Sequence, residues 1–371
     1  ERQFPGSGKF WQLLQTLFQI SWRFQGRDPV LPPRSMWDLG QLLGAVRPDT
    51  LLTAPFMPLT VGDTLRLLGL GSDQRLKTFL DLQLKLYSQV GADETALLYA
   101  ATALSVSQAP QGLWHLQGSM QTLGDRLGQA LKNHGGELFC GQRVEQIHCD
   151  QGHVQGVTVR DVRSGEVRQE KAQQVVANLT VQNLLKMVDQ PLPGYHHRVN
   201  NLPPGSGAFV IYLGVREDAI PPDCAPHLQF LYDRQGPIGE NNSLFVSVSK
   251  PGDGRAPRGC RTVIASSFTD VAPWWDASPE QYQALKESYT TTAIARLGEY
   301  FNLDESTIVH QESATPRTFA SYTARDQGIV GGVGQRLTTF GPFGFAPRTP
   351  IRNLWLVGDS VHPGEGTAGV S

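Results

Sequence analysis

The stretch that most constrains this chain is its last, NLWLVGDSVHPGEGTAGVS. The run NLWLV is continuous in apolar residues and reads as a buried strand. It stops at Gly358-Asp359, which sets a carboxylate at the carboxyl edge of a sheet. Glycines follow at 364, 366 and 369, so the backbone there can approach a bulky ligand closely. A helix starting near Thr367 would turn its free N–H groups toward that ligand. A strand ending in Asp, with a glycine-rich turn into a helix, is a nucleotide-site arrangement. A tight turn followed by an N-cap fits the same residues.

The rest of the chain sets the frame. Its 371 residues, 40% hydrophobic and 18% charged, suit about two domains with a sizeable core. The formal net charge of −2 gives no basic excess, so no nucleic-acid partner is expected. Cys140, Cys149, Cys224 and Cys260 form no CxxC pair and have no histidine at ligand spacing. They read as reduced, structural thiols of a cytosol-facing protein, and no metal site is expected. No leader-like segment and no apolar run of membrane-spanning length occur. The first residue is Glu1, from which we expect the chain to begin inside something longer.

Residues up to about 109 read as mainly helical. In GKFWQLLQTLFQISWRF the helical spacing of Trp11, Leu14, Leu17, Phe18 and Trp22 predicts an amphipathic helix. Asp63 and Asp93 are expected as N-caps of later helices. A further helix carries Met120, Leu123, Leu127 and Leu131 and ends at HGG. After it, ELFCG, RVEQIHCD, HVQGVTVRD and EVRQEKAQQVVANL, separated by glycine turns, predict a β-meander that returns to a buried strand. GAFVIYLGV, LQFLYD, NSLFVSVSK and RTVIASSF predict four more strands, and SPEQYQALKESYTTTAIARLGEYF a long helix.

The ending VGDSVHPGEGTAGVS resembles the C-terminal flavin signature of the phytoene desaturase superfamily. That group includes carotenoid desaturases, carotene isomerases and, more distantly, amine oxidases. ATPRTFASYTARDQGIVGGVGQRLTTFGPFGFAPRTPIRNLWLVGDS is similar to its desaturase and isomerase branch, and LWHLQGSMQTLGDRLGQALKNHGGELFCGQRVEQI resembles a further family segment. The ending looks most like the cyanobacterial-type C-3′,4′ carotenoid desaturases. It lacks the cysteine after GDS and the YGP of the isomerase pattern.

The resemblance implies an α/β, two-domain FAD-dependent oxidoreductase: a glutathione-reductase-like FAD domain with a mixed α+β substrate domain. In the family a GxGxxG loop after the first strand holds the ADP half of the flavin. PGSGKFW and GGVG at 331–334 both lack the preceding strand, so the expectation is a fragment whose FAD domain is incomplete, clipped at both ends and binding FAD weakly alone. The implied division is 1–110, helical part of a substrate- and membrane-contacting domain; 111–195, FAD-domain helix and meander; 196–345, substrate-domain sheet and helix; and 346–371, C-terminal FAD-binding strand and loop. Gly358 and Asp359 would meet the pyrophosphate–ribityl region. Gly364, Glu365, Gly366, Thr367 and Ala368 would lie at the ring end, and Val144 by the adenine. Arg325 would face the active site, or simply form a structural salt bridge. His362 lies in the flavin loop, in a packing or a chemical role.

The implied substrate is a carotenoid and the implied partner a membrane surface, with the protein peripheral on the cytoplasmic side of a thylakoid or plasma membrane. The aromatic helix with Lys9 and Arg23 would be either the membrane contact or an ordinary packed helix. FGPFGF would line a substrate tunnel or form a packed turn. Three functions stay open: carotenoid desaturase, carotene cis–trans isomerase, and a non-catalytic carotenoid-binding fragment. The cofactor supplies the hard chemistry in such enzymes, so no dense catalytic triad is expected.

Overall fold

The computed structural model describes residues 3–107 and 116–364. The helices in chain order are α1 (Gly8–Gln25), α2 (Met36–Ala45), α3 (Pro48–Leu51), α4 (Val61–Leu67), α5 (Gln74–Ser88), α6 (Leu97–Ser107), α7 (Gln121–Asn133), α8 (Val181–Met187), α9 (Pro193–Asn200), α10 (Ala272–Asp276), α11 (Pro279–Leu297) and α12 (Pro316–Thr323). The strands are β1 (Gln142–Asp150), β2 (His153–Asp161), β3 (Val167–Lys171), β4 (Val175–Asn178), β5 (Gly207–Arg216), β6 (His227–Leu231), β7 (Ser243–Val248), β8 (Cys260–Thr269), β9 (Ile308–Ala314) and β10 (Leu354–Val357). No helix among the described residues is long and apolar enough to cross a membrane.

Two compact units emerge. The first combines Glu1–Leu113, Gln142–Gly205 and Gly331–Ser371; the second, Trp114–Gly141 and Ser206–Val330. The chain therefore passes between units near 113, 141, 205 and 330.

In the first unit, α1, α4, α5 and α6 enclose a helical core built on Phe10, Leu14, Leu76, Leu80, Leu84 and Leu97. The buried stripe of α1 is Phe10, Leu14, Leu17 and Ile20. Its phase differs from the expected aromatic stripe: Trp11 and Phe18 are half-buried and Trp22 is exposed. Leu14 and Leu17 are shared by both stripes, and Phe10 and Ile20 complete the buried one. Asp63 is not an N-cap but the third residue of a capping box. Thr60 Oγ1 accepts from Asp63 N at 3.0 Å, and Asp63 Oδ2 accepts from Thr60 N at 3.0 Å. Asp93 lies ahead of α6 and instead pairs with Arg66 and Lys77, at 2.9 and 3.1 Å.

This unit also holds two small sheets. β1, β2 and β3 form the antiparallel meander, and β4 and β10 run parallel from Leu354↔Val175 to Val357↔Asn178. They pack with α8 through Ile147, Val181, Leu184, Leu354 and Leu356.

The second unit is an antiparallel sheet in the order β6-β7-β8-β5-β9. One face, with Phe209, Ile211, Leu213, Val246 and Val263, packs on α11 through Ala293 and Leu297, and on Trp274 and Phe301. The other face buries Ala208, Val210 and Ala314 under Phe319 and Val330. Cover on both faces explains why β5 reads as one apolar run while β8 alternates. Pro279 at the first turn and a Ser278–Gln281 capping box start α11. ELFCG is not a strand. Gly141 has φ +70° and Leu138 and Phe139 are exposed, so this stretch has no ladder to join.

Candidate functional site

The carboxyl ends of parallel strands are where open α/β sheets present ligand sites. In the first unit β4 ends at Asn178 and β10 at Val357, side by side in register. Gly358 follows with φ +109°, and a β-carbon there would stand 2.6 Å from Asn178 Oδ1. The chain then turns: Val361 N donates to Gly358 O at 3.3 Å and Gly364 N to Val361 O at 2.8 Å. His362 N donates to Phe345 O at 2.8 Å, which fixes the loop to the segment before β10.

A second loop closes on this one. Gly332, at φ +68°, lies so near Asp359 that a β-carbon would meet its carbonyl oxygen at 2.2 Å. Gly364, at φ +106°, lies against the Gln335 amide, 2.4 Å from where its β-carbon would be. Gln335 is buried; its Nε2 donates to Val333 O at 2.7 Å. Its backbone joins the helical core, with Gln335 N donating to Ser88 O at 2.9 Å and Ala96 N to Gln335 O at 3.0 Å. Gly331, at φ +76°, packs in the same way on the side chain of Gln89. Glycine is required at these contacts because a side chain would occupy the space of the facing loop.

His362 is the chemically distinctive member. Its ring lies 5.5 Å from that of Phe340, which in turn makes an edge contact with Tyr99 at 5.7 Å. Its Nδ1 is buried and has no hydrogen-bond partner among the described residues. Burial pushes the imidazole down to about 4, so the ring is neutral at pH 7. A neutral imidazole can donate from one nitrogen and accept at the other. Tyr195 packs edge-on to Phe345 at 5.4 Å, and its buried hydroxyl likewise has no partner among the described residues. Burial raises the Tyr195 phenol above its ordinary range. Arg198 stacks over Phe345 at 3.9 Å and donates to Gly344 O at 2.7 Å.

The structure thus brings Gly358, Asp359 and Gly364 together. Glu365, Gly366, Thr367 and Ala368 lie outside the described residues. Val144 sits exposed on the edge strand β1, opposite Val159 and beside a bulge, and is not among the residues packed with this loop. Arg325 belongs to the second unit, where its Nε donates to Ile329 O at 2.7 Å and folds the turn after α12. Sequence reading missed Asn178, Gln335 and the Gly331-Gly332 turn as parts of the site. The paired glycines were the available signal.

No family profile matches the chain. Over 308 residues it is 28% identical to the chloroplastic prolycopene isomerase of Arabidopsis thaliana, covering 81% of this chain and 50% of that protein. Over 308 residues it is 25% identical to a 4,4'-diapolycopene oxygenase of Methylomonas sp, covering 80% of this chain and 59% of that protein. The chain spans about half the length of the plant relatives it matches. A solved oxidoreductase from Methanosarcina mazei superposes with a TM-score of 0.57 at 18% identity, over 86% of this chain and 68% of that one. The fold is therefore the two-domain α/β fold of such oxidoreductases, as expected, in a chain similar in sequence to a prolycopene isomerase and a diapolycopene oxygenase.

Proposed function

We propose that this chain forms part of an FAD-dependent enzyme that modifies a carotenoid. The observation that carries the reading is the loop at the β4–β10 strand ends, closed by Gly332 and holding a buried imidazole nitrogen with no partner among the described residues. An orphaned buried nitrogen fits a polar, planar group lying against the loop. The similarity to proteins named for carotenoid conversions supports the substrate class.

Bound flavin supplies two-electron chemistry by exchanging hydride with carbon. On this reading Gly358 and Asp359 hold its pyrophosphate–ribityl part and Gly364 its ring end, with Glu365, Gly366, Thr367 and Ala368 beyond. Val144 meets the adenine and Arg325 faces the substrate. His362, neutral, offers a hydrogen bond without placing a charge beside an apolar polyene. The tight contacts of Gly332 and Gly364 keep the loop in one shape and limit entry of water.

The reaction we read is C-3′,4′ desaturation: two hydrogens leave adjacent carbons and a double bond forms. Ser360-Val361-His362 in place of a cysteine-containing run, and Phe340-Gly341-Pro342 in place of YGP, support it. The similarity to a prolycopene isomerase supports a second reading, cis–trans isomerisation without net oxidation. Incubating the natural gene product with carotenoid and FAD, oxidised in one arm and reduced in the other, separates them. Desaturation lowers the product mass by two hydrogens and shifts absorbance to the red. Unchanged mass with altered geometry overturns it in favour of isomerisation. Carotenoid that is bound but never altered overturns both. The same reading places the protein peripherally on the cytoplasmic side of a membrane, where a carotenoid dissolves.

A further inference from the structure

A surface helix ordinarily turns charges to water and apolar side chains inward. Helix α2 does the reverse. Its one charged residue, Asp38, is fully buried, while Met36 is 82%, Trp37 60% and Leu43 64% exposed. The next turn continues the pattern, with Leu51 62% and Leu52 67% exposed.

This face is held in place. Asp38 accepts from Arg348 Nε at 2.9 Å and from Arg34 N at 3.0 Å, and Ser35 Oγ accepts from Asp38 N at 3.1 Å. Burial alone would raise the Asp38 carboxyl, but these hydrogen bonds hold it below its ordinary value. Arg27 Nη1 donates to Ala45 O at 3.0 Å at the far end of α2. Asp49 of α3 takes Arg23 at 3.1 Å and Arg27 at 3.5 Å. The helix is thus bolted down by its polar groups with its apolar side left outward.

The charge around the face has one sign in excess. Asp38 and Asp49 are neutralised by these arginines, which leaves Asp28 as the remaining carboxylate of residues 22–57. Arg34 and Arg47 are exposed, and among the described residues neither is within ion-pairing distance of a carboxylate. Arg47 caps the end of α2 by donating to Gly44 O at 2.7 Å and Val46 O at 2.9 Å, which keeps its charge at the edge of the patch. An apolar face with a tryptophan and a cationic rim complements a bilayer whose headgroups are anionic.

We propose that residues 34–57 seat this protein on an anionic bilayer, with Trp37, Leu43, Leu51 and Leu52 at the acyl boundary and Arg34 and Arg47 among the headgroups. The inference rests on the carotenoid reading for its purpose, not for its geometry. It also relocates the membrane contact: the α1 helix expected for that role spends its apolar stripe on the helical core.

The test is sedimentation with phosphatidylcholine vesicles, with and without phosphatidylglycerol. Wild type is expected to bind the anionic vesicles more tightly. Leu43→Ser/Leu51→Ser/Leu52→Ser should weaken binding at least about tenfold. Arg34→Gln and Arg47→Gln should each weaken it about fivefold on anionic vesicles alone. Leu127→Ser/Leu131→Ser, on the exposed side of α7 in the other unit, should leave it unchanged. Circular dichroism and Tm check that the variants fold; exposed positions predict little change. Wild-type binding that the triple variant retains overturns this surface and leaves membrane attachment standing. No wild-type binding overturns both, while carotenoid conversion in detergent still reads the enzymatic proposal separately. Self-association in lipid-free buffer that the triple variant abolishes, without a loss of vesicle binding, assigns the face to a second copy and overturns the proposal.

Discussion

The five-stranded sheet of the second unit and the β4–β10 pair of the first are built on opposite plans. The five strands of the second unit pair antiparallel, with apolar cover on both faces, and their packing is closed within the unit. The β4–β10 pair of the first unit is parallel and two strands wide, with Val176 exposed, and its strand ends run into a glycine-bound loop. The first plan maximises burial. The second gives burial up for close glycine contacts around a buried imidazole nitrogen that has no partner among the described residues.

The largest effect that would break this contrast lies in the second unit. Trp274 is fully buried, packs edge-on to Tyr289 at 4.9 Å, and donates from Nε1 to Thr269 Oγ1 at 3.0 Å. Trp274→Ala should cost about 3–5 kcal/mol in denaturant unfolding. A loss under about 1 kcal/mol would show that the sheet face does not carry that unit's stability.

The first unit should instead be sensitive to pH. His362 titrates near 6.5 when unfolded and near 4 when folded, because burial opposes its charge. The unfolded chain therefore binds more protons between those values. The stabilisation is whole above pH 6.5 and drains as pH falls through 4, reaching about 3 kcal/mol at 1.36 kcal/mol per unit. His362→Gln should flatten that acid limb. An unchanged slope in the variant would assign the acid sensitivity elsewhere.

Most elements were legible in the sequence because they rest on local spacing. The four strands from GAFVIYLGV onward and the long helix after Ser278 stand where alternation and capping placed them. The strand end at Gly358-Asp359 and the turn at Gly364 were legible too, from an apolar run that stops at glycine. Gln335 and Asn178 were not. They reach the loop through pairings with Ser88, Ala96 and β10, far away in sequence, and no periodicity reports such contacts. The inverted face of α2 was hidden for a related reason. An Asp in an apolar helix reads as its solvent side until Arg348, some three hundred residues on, is seen to take it inward.

Next in size is the closure of the two site loops. Gly332→Ala combines a positive φ with a β-carbon 2.2 Å from Asp359 O, and should cost about 1–3 kcal/mol. Gly135→Ala is the matched control: its φ is +79°, yet a β-carbon there meets nothing within 4 Å. It should carry the backbone cost alone, about 1 kcal/mol. Flavin absorbance of the natural gene product should fall with Gly332→Ala and persist with Gly135→Ala. Equal flavin content in the two variants would detach the Gly332 contact from cofactor binding.

The smallest effect tests whether the contrast reaches down to local structure, since each unit starts a helix with the same device. In the second unit Ser278 Oγ accepts from Gln281 N at 3.3 Å, and Gln281 Oε1 from Ser278 N at 2.9 Å, both exposed. In the first, Thr60 is buried, and its Oγ1 also donates to Asp63 Oδ2 at 2.8 Å. Asp63 in turn pairs with Arg66 at 2.8 Å. Ser278→Ala should cost about 1 kcal/mol or less, the usual loss of an N-cap. Thr60→Ala should cost more, toward about 2 kcal/mol, because it also leaves a charged acceptor short of a donor. Hydrogen exchange at the first turns of α4 and α11 reads the two locally. Equal loss of protection at α4 and α11 would mean that the shared motif, and not the buried network around it, sets the strength of both caps.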